Sequence, residues 1–314
     1  MTNRFKNNYN QVFKNLVNGL KSYIIDNNMK SMVLGISGGI DSTVVAAICH
    51  EVSKQTKVPL LGFSLPCSTN KEVETTAADI TGKAFCDVYT VLNIEDWYQY
   101  SSKFLNSIKI NDIQLKGTPI SEGNIKARLR MITLWNVGGL CNGLVMDSDM
   151  LTENLLGFFT INGDSNAFTP IGGLWKTEVY ELAKYLKDSY NEKGDTDKVE
   201  ALKQAIEIVP TDGNGVSNSD LDQIAPGLNY NQVDEVLDIW VHLDNKVKDL
   251  ILNGNKLEGS AFAKLVDIYG EDIVMGIVKR NVNSAFKRKH LPLEVNPLSG
   301  EVIEANKKTI LTFY

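Results

Sequence analysis

The sequence predicts an α/β fold: a doubly wound parallel sheet flanked by helices, with helical additions at both ends. A short apolar run at residues 32–36 ends in a glycine-rich turn, and a helical pattern follows at 43–52. Strand and helix patterns then alternate to about residue 150, which indicates parallel strands joined by helical crossovers. Residues before 30 and after 224 carry helical patterns, so helices are expected to flank the sheet.

The elements follow in a regular order. An amphipathic helix over residues 5–25 is expected to act as a lid or a packing element. After the first strand and helix, residues 59–65, 87–92 and 143–146 predict strands, and residues 71–83, 97–104, 125–137 and 176–186 predict helices.

The whole chain, 1–314, is interpreted as one domain. It has a nucleotide-binding core at about 30–186, a mobile loop region at about 187–223 and a helical part at about 224–314. The loop is predicted because residues 187–223, apart from one short helical patch, are polar and rich in Gly, Asn and Asp.

Composition excludes several classes of protein. The formal net charge is −6, with 32 Lys and Arg against 38 Asp and Glu, so no general nucleic-acid or membrane-surface binding is expected. No apolar run approaches the roughly 20 residues that span a bilayer, and the polar N-terminus lacks a signal sequence, so a cytoplasmic protein is predicted. The four cysteines form no CxxC pair and are interpreted as reduced packing residues.

The turn after the first strand is the first candidate site. Backbone N–H groups and the positive end of a helix converge there, an arrangement that binds phosphate. Hydroxyl donors could assist, whereas Asp41 would repel phosphate unless a divalent cation lay between them, so the loop implies Mg²⁺. The candidate ATP-binding residues of this loop are Ile36, Ser37, Gly38, Gly39, Ile40, Asp41, Ser42 and Thr43.

The loop contains no GxxxxGK[ST] string, and its spacing does not fit a dinucleotide-binding fingerprint. Instead, SGGIDS at residues 37–42 resembles the SGGxDS loop of the ATP pyrophosphatases, which activate a substrate oxygen as its adenylate and release pyrophosphate. This resemblance by itself leaves open which member of that superfamily the chain is.

Later motifs resemble those of NAD synthetases, and they occur in the order typical of that family. They are NIKARLRM at 124–131, DSDMLTENLLGFFTINGD at 147–164, LWKTEV at 174–179, PTD at 210–212 and FKRKHLP at 286–292. Any one of these strings could be an exposed polar or basic surface. The complete series favours the family.

The resemblance implies specific roles. Ser148, Lys176 and Thr211 would contact ATP, and Asp41 and Glu153 would bind Mg²⁺. The acceptor, deamido-NAD, would be bound by Arg128, Ile161, Asp164, Phe286 and Lys287.

The chain departs from the family where the acceptor should bind. Ammonia-dependent members usually read GFFTKYGDGGAD, whereas this chain reads GFFTINGDSNAF. Ile161 stands for the Lys, Asn162 for the aromatic residue, Ser165 and Asn166 for two glycines, and Phe168 lies where an acid is expected. Weaker acceptor binding or an altered pocket is a reasonable hypothesis.

The resemblance implies amidation of deamido-NAD to NAD⁺ with ATP and ammonia, through an NAD-adenylate, releasing AMP and pyrophosphate. No side-chain nucleophile is expected. Free ammonia is the expected donor because only about thirty residues precede the first strand, too few for the family's glutaminase domain. A homodimer is also implied. The alternatives are another ATP pyrophosphatase with a different substrate and a non-catalytic nucleotide-binding protein.

Overall fold

The computed structural model describes residues 4–5, 8–164, 167–211, 219–255, 257–290 and 292–304. Its strands are β1 (Ser31–Gly35), β2 (Leu60–Ser64), β3 (Val88–Val91), β4 (Lys109–Ile110), β5 (Ile113–Gln114), β6 (Gly143–Met146), β7 (Phe168–Thr169), β8 (Leu293–Val295) and β9 (Val302–Glu304). Its first helices are α1 (Tyr9–Asp26), α2 (Ile40–Thr56), α3 (Glu72–Phe85), α4 (Glu95–Leu105), α5 (Pro119–Cys141), α6 (Leu151–Leu156) and α7 (Lys176–Glu192). The later helices are α8 (Thr196–Glu207), α9 (Asp220–Ile224), α10 (Tyr230–His242), α11 (Asn245–Leu252), α12 (Ala261–Tyr269), α13 (Glu271–Asn283) and a short 3₁₀ helix (Lys287–His290).

Within the described residues, the main sheet has seven strands in the order β3-β2-β1-β6-β7-β8-β9. The pairs from β3 through β8 are parallel, and β9 runs antiparallel to β8. Chain order reverses between β1 and β6, so the sheet is wound in both directions from that point. The predicted fold class is confirmed.

The sheet extends further along the chain than predicted. Sequence patterns end it near residue 150, but β7, β8 and β9 add three strands after that point. Each is only two or three residues long. Such short segments carry too few residues for the two-residue alternation that identifies a strand.

The prediction of a loop over 187–223 was wrong for most of its length. Helix α7 continues to Glu192, and α8 occupies 196–207 with Asp195 as its N-cap. Ala201, Leu202 and Ala205 of α8 are buried in the main core, which explains why a largely polar segment is helical. Residues 212–218 of that predicted loop lie outside the described residues.

Two large apolar clusters flank the functional region. The first joins α1, α2, α7 and α8 to the sheet, so α1 is a packing element. The second joins α6 to α10 and α13 through buried side chains such as Leu155, Val236 and Ile277. Full burial of one such side chain contributes about 1.5 to 3 kcal/mol, so both clusters fix the elements that lie between them.

Among the described residues, no helix is both long enough and apolar enough to cross a membrane.

Candidate active site

A cavity of about 430 Å³ opens at the carboxyl ends of β1, β2 and β6. It lies beside the point where the strand order reverses, which is where open α/β sheets bind their ligands. Its wall contains the loop after β1, the end of β2, the start of α5 and the segment after β6. A volume of this size can hold a small-molecule ligand.

The phosphate loop is held close to α3 by Gly38. This glycine has a φ of +80°, and an added Cβ would lie 2.4 Å from the backbone nitrogen of Ala78. Only glycine fits both the left-handed backbone and the close approach. Helix α2 then begins at Ile40, with Gly39 as N-cap, so its free N–H groups point toward the cavity end of β1.

The loop hydroxyls differ in what they contact. Ser37 and Ser42 are hydrogen-bonded to each other through their Oγ atoms at 2.8 Å, and both line the cavity. Thr43 is fully buried; its Oγ1 donates to Gly39 O at 2.9 Å and lies 3.1 Å from Thr81 Oγ1. Thr43 therefore braces α2 against α3, a role that differs from the phosphate donor predicted for it.

Ile36 and Ile40 serve mainly as anchors. Both side chains are buried in the main core, at 3% and 2% exposure. Their contribution to the loop is to fix its two ends, because an apolar side chain offers phosphate no hydrogen bond. Any direct contact from these two positions would come from backbone groups.

A lysine and two acids form the charged centre of the site. The Lys176 ammonium is paired with Asp41 Oδ2 and lies 3.8 Å from Glu153 Oε1. Asp41 is in the first turn of α2, Glu153 in α6, and Lys176 begins α7. The structure thus brings together the three charged residues that the resemblance selected from distant parts of the chain.

Lys176 is 1% exposed and does not form part of the cavity wall, whereas Asp41 and Glu153 do. Burial by itself would lower the pKa of the lysine, but Asp41 and Glu153 hold that pKa well above its usual value. The ammonium is therefore charged. From its buried position it partly neutralises the negative charge of the two acids that line the cavity. The predicted contact between Lys176 and ATP phosphates stays a prediction.

The same acids fit the Mg²⁺ that the loop implies. Asp41 Oδ1 is buried and has no hydrogen-bond partner among the described residues, so one carboxylate oxygen is left for a ligand. No group of three or more metal-binding side chains occurs in the described part of the chain. Magnesium commonly takes only one or two protein carboxylates and completes its shell with water and substrate phosphates, so the pair suffices.

Two other predicted ATP residues line the cavity. Ser148 lies two residues past the end of β6, and Thr211 precedes residues 212–218, which lie outside the described residues. Thr211 Oγ1 donates to Glu74 Oε1 of α3 at 2.7 Å, which joins this segment to the helix that backs the phosphate loop.

Asp164 and Lys287 also line the cavity. Asp164 accepts a hydrogen bond from Thr160 N at 2.7 Å, and burial raises its pKa above the ordinary value. Lys287 donates to Gly157 O at 2.8 Å, and burial lowers its pKa. Both side chains are thus hydrogen-bonded to the backbone of the GFFT segment, residues 157–160.

Three predicted acceptor residues are not part of the cavity wall. Arg128 is exposed and donates to Ile161 O across 3.4 Å, and Phe286 is 58% exposed. Their roles, and that of Ile161, stay predictions. Asn162 has a φ of +57°, a left-handed conformation that asparagine tolerates well. Ser165 and Asn166 lie outside the described residues.

Among the described residues, sequence reasoning missed four charged residues that line the cavity: Glu74, Arg130, Asp149 and Arg280. Arg130 donates to Leu65 O at 3.1 Å and to Asn70 Oδ1 at 3.0 Å. Arg128 and Arg130 are two residues apart in α5 and therefore face different ways. The resemblance selected Arg128 for the ligand, whereas Arg130 is the one that lines the cavity.

Comparison with known proteins agrees with this geometry. A family profile described as NAD synthase matches residues 12–273. The NH(3)-dependent NAD(+) synthetase of Wolinella succinogenes is 27% identical over 279 residues, covering 88% of this chain and 93% of that protein. The enzyme of the same name from Carboxydothermus hydrogenoformans is 36% identical over 180 residues, covering 57% of this chain and 71% of that protein.

Solved structures show the same fold. The NMN synthetase from Francisella tularensis superposes with a TM-score of 0.65 at 23% identity, covering 89% of this chain and 95% of that one. The NH3-dependent NAD synthetase from Campylobacter jejuni gives a TM-score of 0.61 at 24% identity, covering 89% and 96%. Together with the charged centre behind the phosphate loop, the profile match over most of the chain means that this protein belongs to the NAD synthase family.

Proposed function

We propose that the chain forms NAD⁺ from deamido-NAD, ATP and ammonia, by adenylating the nicotinate carboxylate and then replacing AMP with ammonia. The observation that carries the proposal is the pairing of Lys176 with Asp41 and Glu153 directly behind the phosphate loop. Relatives from several organisms carry the name NH(3)-dependent NAD(+) synthetase, which supports ammonia as the nitrogen donor.

The chain's own groups account for the ATP half of the reaction. The loop amides and the start of α2 would bind the pyrophosphate that leaves, and Ser37 and Ser42 would add hydroxyl donors. Asp41 and Glu153 would hold Mg²⁺, which when bound offsets the negative charge of the phosphates. The positive charge of Lys176 reduces the repulsion between these two carboxylates.

The acceptor half would use the other end of the cavity. Lys287 and Arg130 place positive charge in the cavity wall near Asp164. These two cations could neutralise a nucleotide phosphate or the nicotinate carboxylate. No side chain is needed as a nucleophile, because the substrate carboxylate attacks the α-phosphorus itself. Catalysis then consists of positioning the two substrates and excluding water.

The proposal is tested by measuring pyrophosphate and AMP release with MgATP, ammonium and deamido-NAD, with NAD⁺ identified by chromatography. One equivalent of NAD⁺ per AMP is expected, and omission of deamido-NAD should stop the reaction. Intact ATP binding without any deamido-NAD-dependent pyrophosphate release would contradict the proposal.

A second candidate acceptor is nicotinate mononucleotide. Ile161 in place of the family's lysine removes a cation from the acceptor segment, and one protein of the same fold is named an NMN synthetase. The same assay with the mononucleotide separates the two, since a higher kcat/KM for the mononucleotide would reassign the substrate.

We also propose a homodimer, as the family resemblance implies, and a cytoplasmic location. Helices α4 and α5 expose a band of large apolar side chains that a second copy could cover. These side chains are Trp97, Tyr100, Phe104, Ile132, Trp135 and Leu140, which are between 40% and 79% exposed. Light scattering of the wild type and of Tyr100→Lys/Trp135→Lys should give a dimer and a monomer. A monomeric wild type would contradict the proposal.

A further inference from the structure

A buried carboxylate lies behind the charged centre, in a helix that none of the recognised motifs includes. Asp234 is in α10 and is 0% exposed. It does not belong to the cavity wall, so it cannot touch a ligand there. A fully buried acid is costly unless its oxygens are hydrogen-bonded, which makes its partners informative.

Both oxygens of Asp234 are bound to the region where α7 begins. Oδ1 accepts a hydrogen bond from Thr152 Oγ1 at 2.6 Å, and Oδ2 accepts one from Thr177 N at 3.0 Å. Thr152 Oγ1 in turn accepts a hydrogen bond from Lys176 N at 2.9 Å. The first two N–H groups of α7 are therefore both held by Asp234, one directly and one through Thr152.

The same face of α10 also reaches the other end of the lysine. Tyr230 lies four residues before Asp234, hence on the same side of the helix, and its ring centroid is 5.4 Å from Lys176 Nζ. Helix α10 thus contacts Lys176 at its backbone and at its ammonium.

We propose that Asp234 is a positioning residue of the ATP site: through Thr152 and the first turn of α7, it fixes Lys176 between Asp41 and Glu153. The inference rests on the proposed function, in which these two acids serve ATP binding. Loss of the Asp234 bonds would let the start of α7 shift, and Lys176 would then offset the acids less well. Phosphate binding at the loop would weaken although no ligand contact had been removed.

The main test is the affinity for MgATP, measured by calorimetry on Asp234→Asn and Thr152→Val. Asn can no longer accept the Thr177 N–H while also accepting from Thr152, and Val removes only the hydroxyl. Both variants are expected to bind MgATP about tenfold more weakly and to raise the KM for ATP, with the acceptor KM unchanged. Thr152→Ser keeps the hydroxyl and should restore the wild-type affinity.

Glu178→Gln is the matched control. Glu178 is 6% exposed, is in the same first turn of α7, and accepts from Trp175 N at 2.9 Å, while its other contact is the guanidinium of Arg4. It has no bond to Thr152, Lys176 or Thr177 among those described. It should lower stability toward urea yet leave MgATP affinity within about twofold of the wild type.

A double-mutant cycle with Lys176→Met tests whether Asp234 acts through the lysine. In the Lys176→Met background, Asp234→Asn should change MgATP affinity by less than about twofold. Additive losses, or equal losses in the Glu178→Gln control, would overturn the inference. If Asp234→Asn does not fold, Thr152→Val decides the matter by the same criteria. A wild type that does not bind MgATP would instead refute the proposed function.

Discussion

The two ends of the cavity are built differently. At the proposed ATP end, the buried Lys176 pairs with two partly buried acids, and Gly38 holds the loop close to α3. At the proposed acceptor end, the predicted residues Arg128 and Phe286 are exposed and lie outside the cavity wall, and the segment from 161 departs from the family's usual sequence. A fixed ATP end with a variable acceptor end is what is expected where one activation chemistry serves different acceptors.

The largest effect that this comparison predicts comes from Lys176→Met. The substitution leaves two carboxylates beside the phosphate loop without their buried cation, so they would repel the triphosphate. We expect kcat/KM for ATP to fall roughly 100- to 1000-fold, the scale of losing one electrostatic group in an active site.

Lys184→Met is the control, because Lys184 is on the same helix, half-exposed, and paired only with Glu181 among its described ionic contacts. It should be indistinguishable from the wild type in steady-state kinetics. An equal loss of kcat/KM for ATP in both variants would contradict the proposed difference between the two ends of the cavity.

The loop itself gives the next largest effect. Gly38→Ala would force a side chain into a left-handed backbone and against Ala78 N, which should cost roughly 1 to 3 kcal/mol of unfolding free energy and weaken ATP binding. Gly139→Ala is the comparison: Gly139 is inside α5 and has open space around its Cβ position, so alanine there should be neutral or slightly stabilising. Urea titration of both variants checks the difference.

A third prediction uses pH. Burial raises the pKa of Asp234 from 3.8 to about 7, although its hydrogen bonds from Thr152 and Thr177 favour the charged form. Between those two values the folded protein holds a proton that the unfolded chain has lost. The contribution of Asp234 to stability is therefore fully present below pH 4 and is lost as the pH rises to 7.

Asp234→Asn lacks this dependence. The unfolding free energy of the wild type minus that of the variant should fall by about 1.4 kcal/mol per pH unit at most between pH 5 and 7, measured by urea titration. Parallel curves for the two proteins would contradict the raised pKa.

The smallest effect is expected at the acceptor end. Ile161→Lys restores the residue that the family usually has, and a new hydrogen bond to a charged acceptor group should lower the KM for deamido-NAD by up to about tenfold. The KM for ATP should not change. A change in the KM for ATP would instead mean that the two ends of the cavity are coupled.

Much of the fold was accessible from local patterns. The strand at 143–146, the loop after β1 and the start of α7 at Lys176 were each predicted close to their observed bounds, because apolar runs and glycine turns specify them locally. Strands β7 to β9 were missed because pairing with distant strands, and no pattern of their own, makes them strands. The extent of helix α8 was underestimated as one short helical patch, because a few buried residues outweigh a polar composition.

The site residues likewise divide into those that the sequence could predict and those that it could not. Asp41, Glu153 and Lys176 could be selected because they occur within recognisable strings, and the structure brings them together. The resemblance selected Arg128 for the acceptor, but only the fold shows that Arg130 is on the face of α5 that meets the cavity. Asp234 gave no signal at all, since its importance lies in two hydrogen bonds to residues that are far away in sequence.

Those long separations have a consequence for how the protein is made. The bond between Lys176 and Asp41 spans 135 residues, and that between Asp234 and Thr152 spans 82. A chain emerging from the ribosome cannot complete its ATP site until α10 has been synthesised and docked, because each contact must wait for its distant partner. For much of its synthesis the nascent chain therefore lacks some of the contacts that support Lys176 and the two acids, and full nucleotide affinity is expected only after α10 has docked.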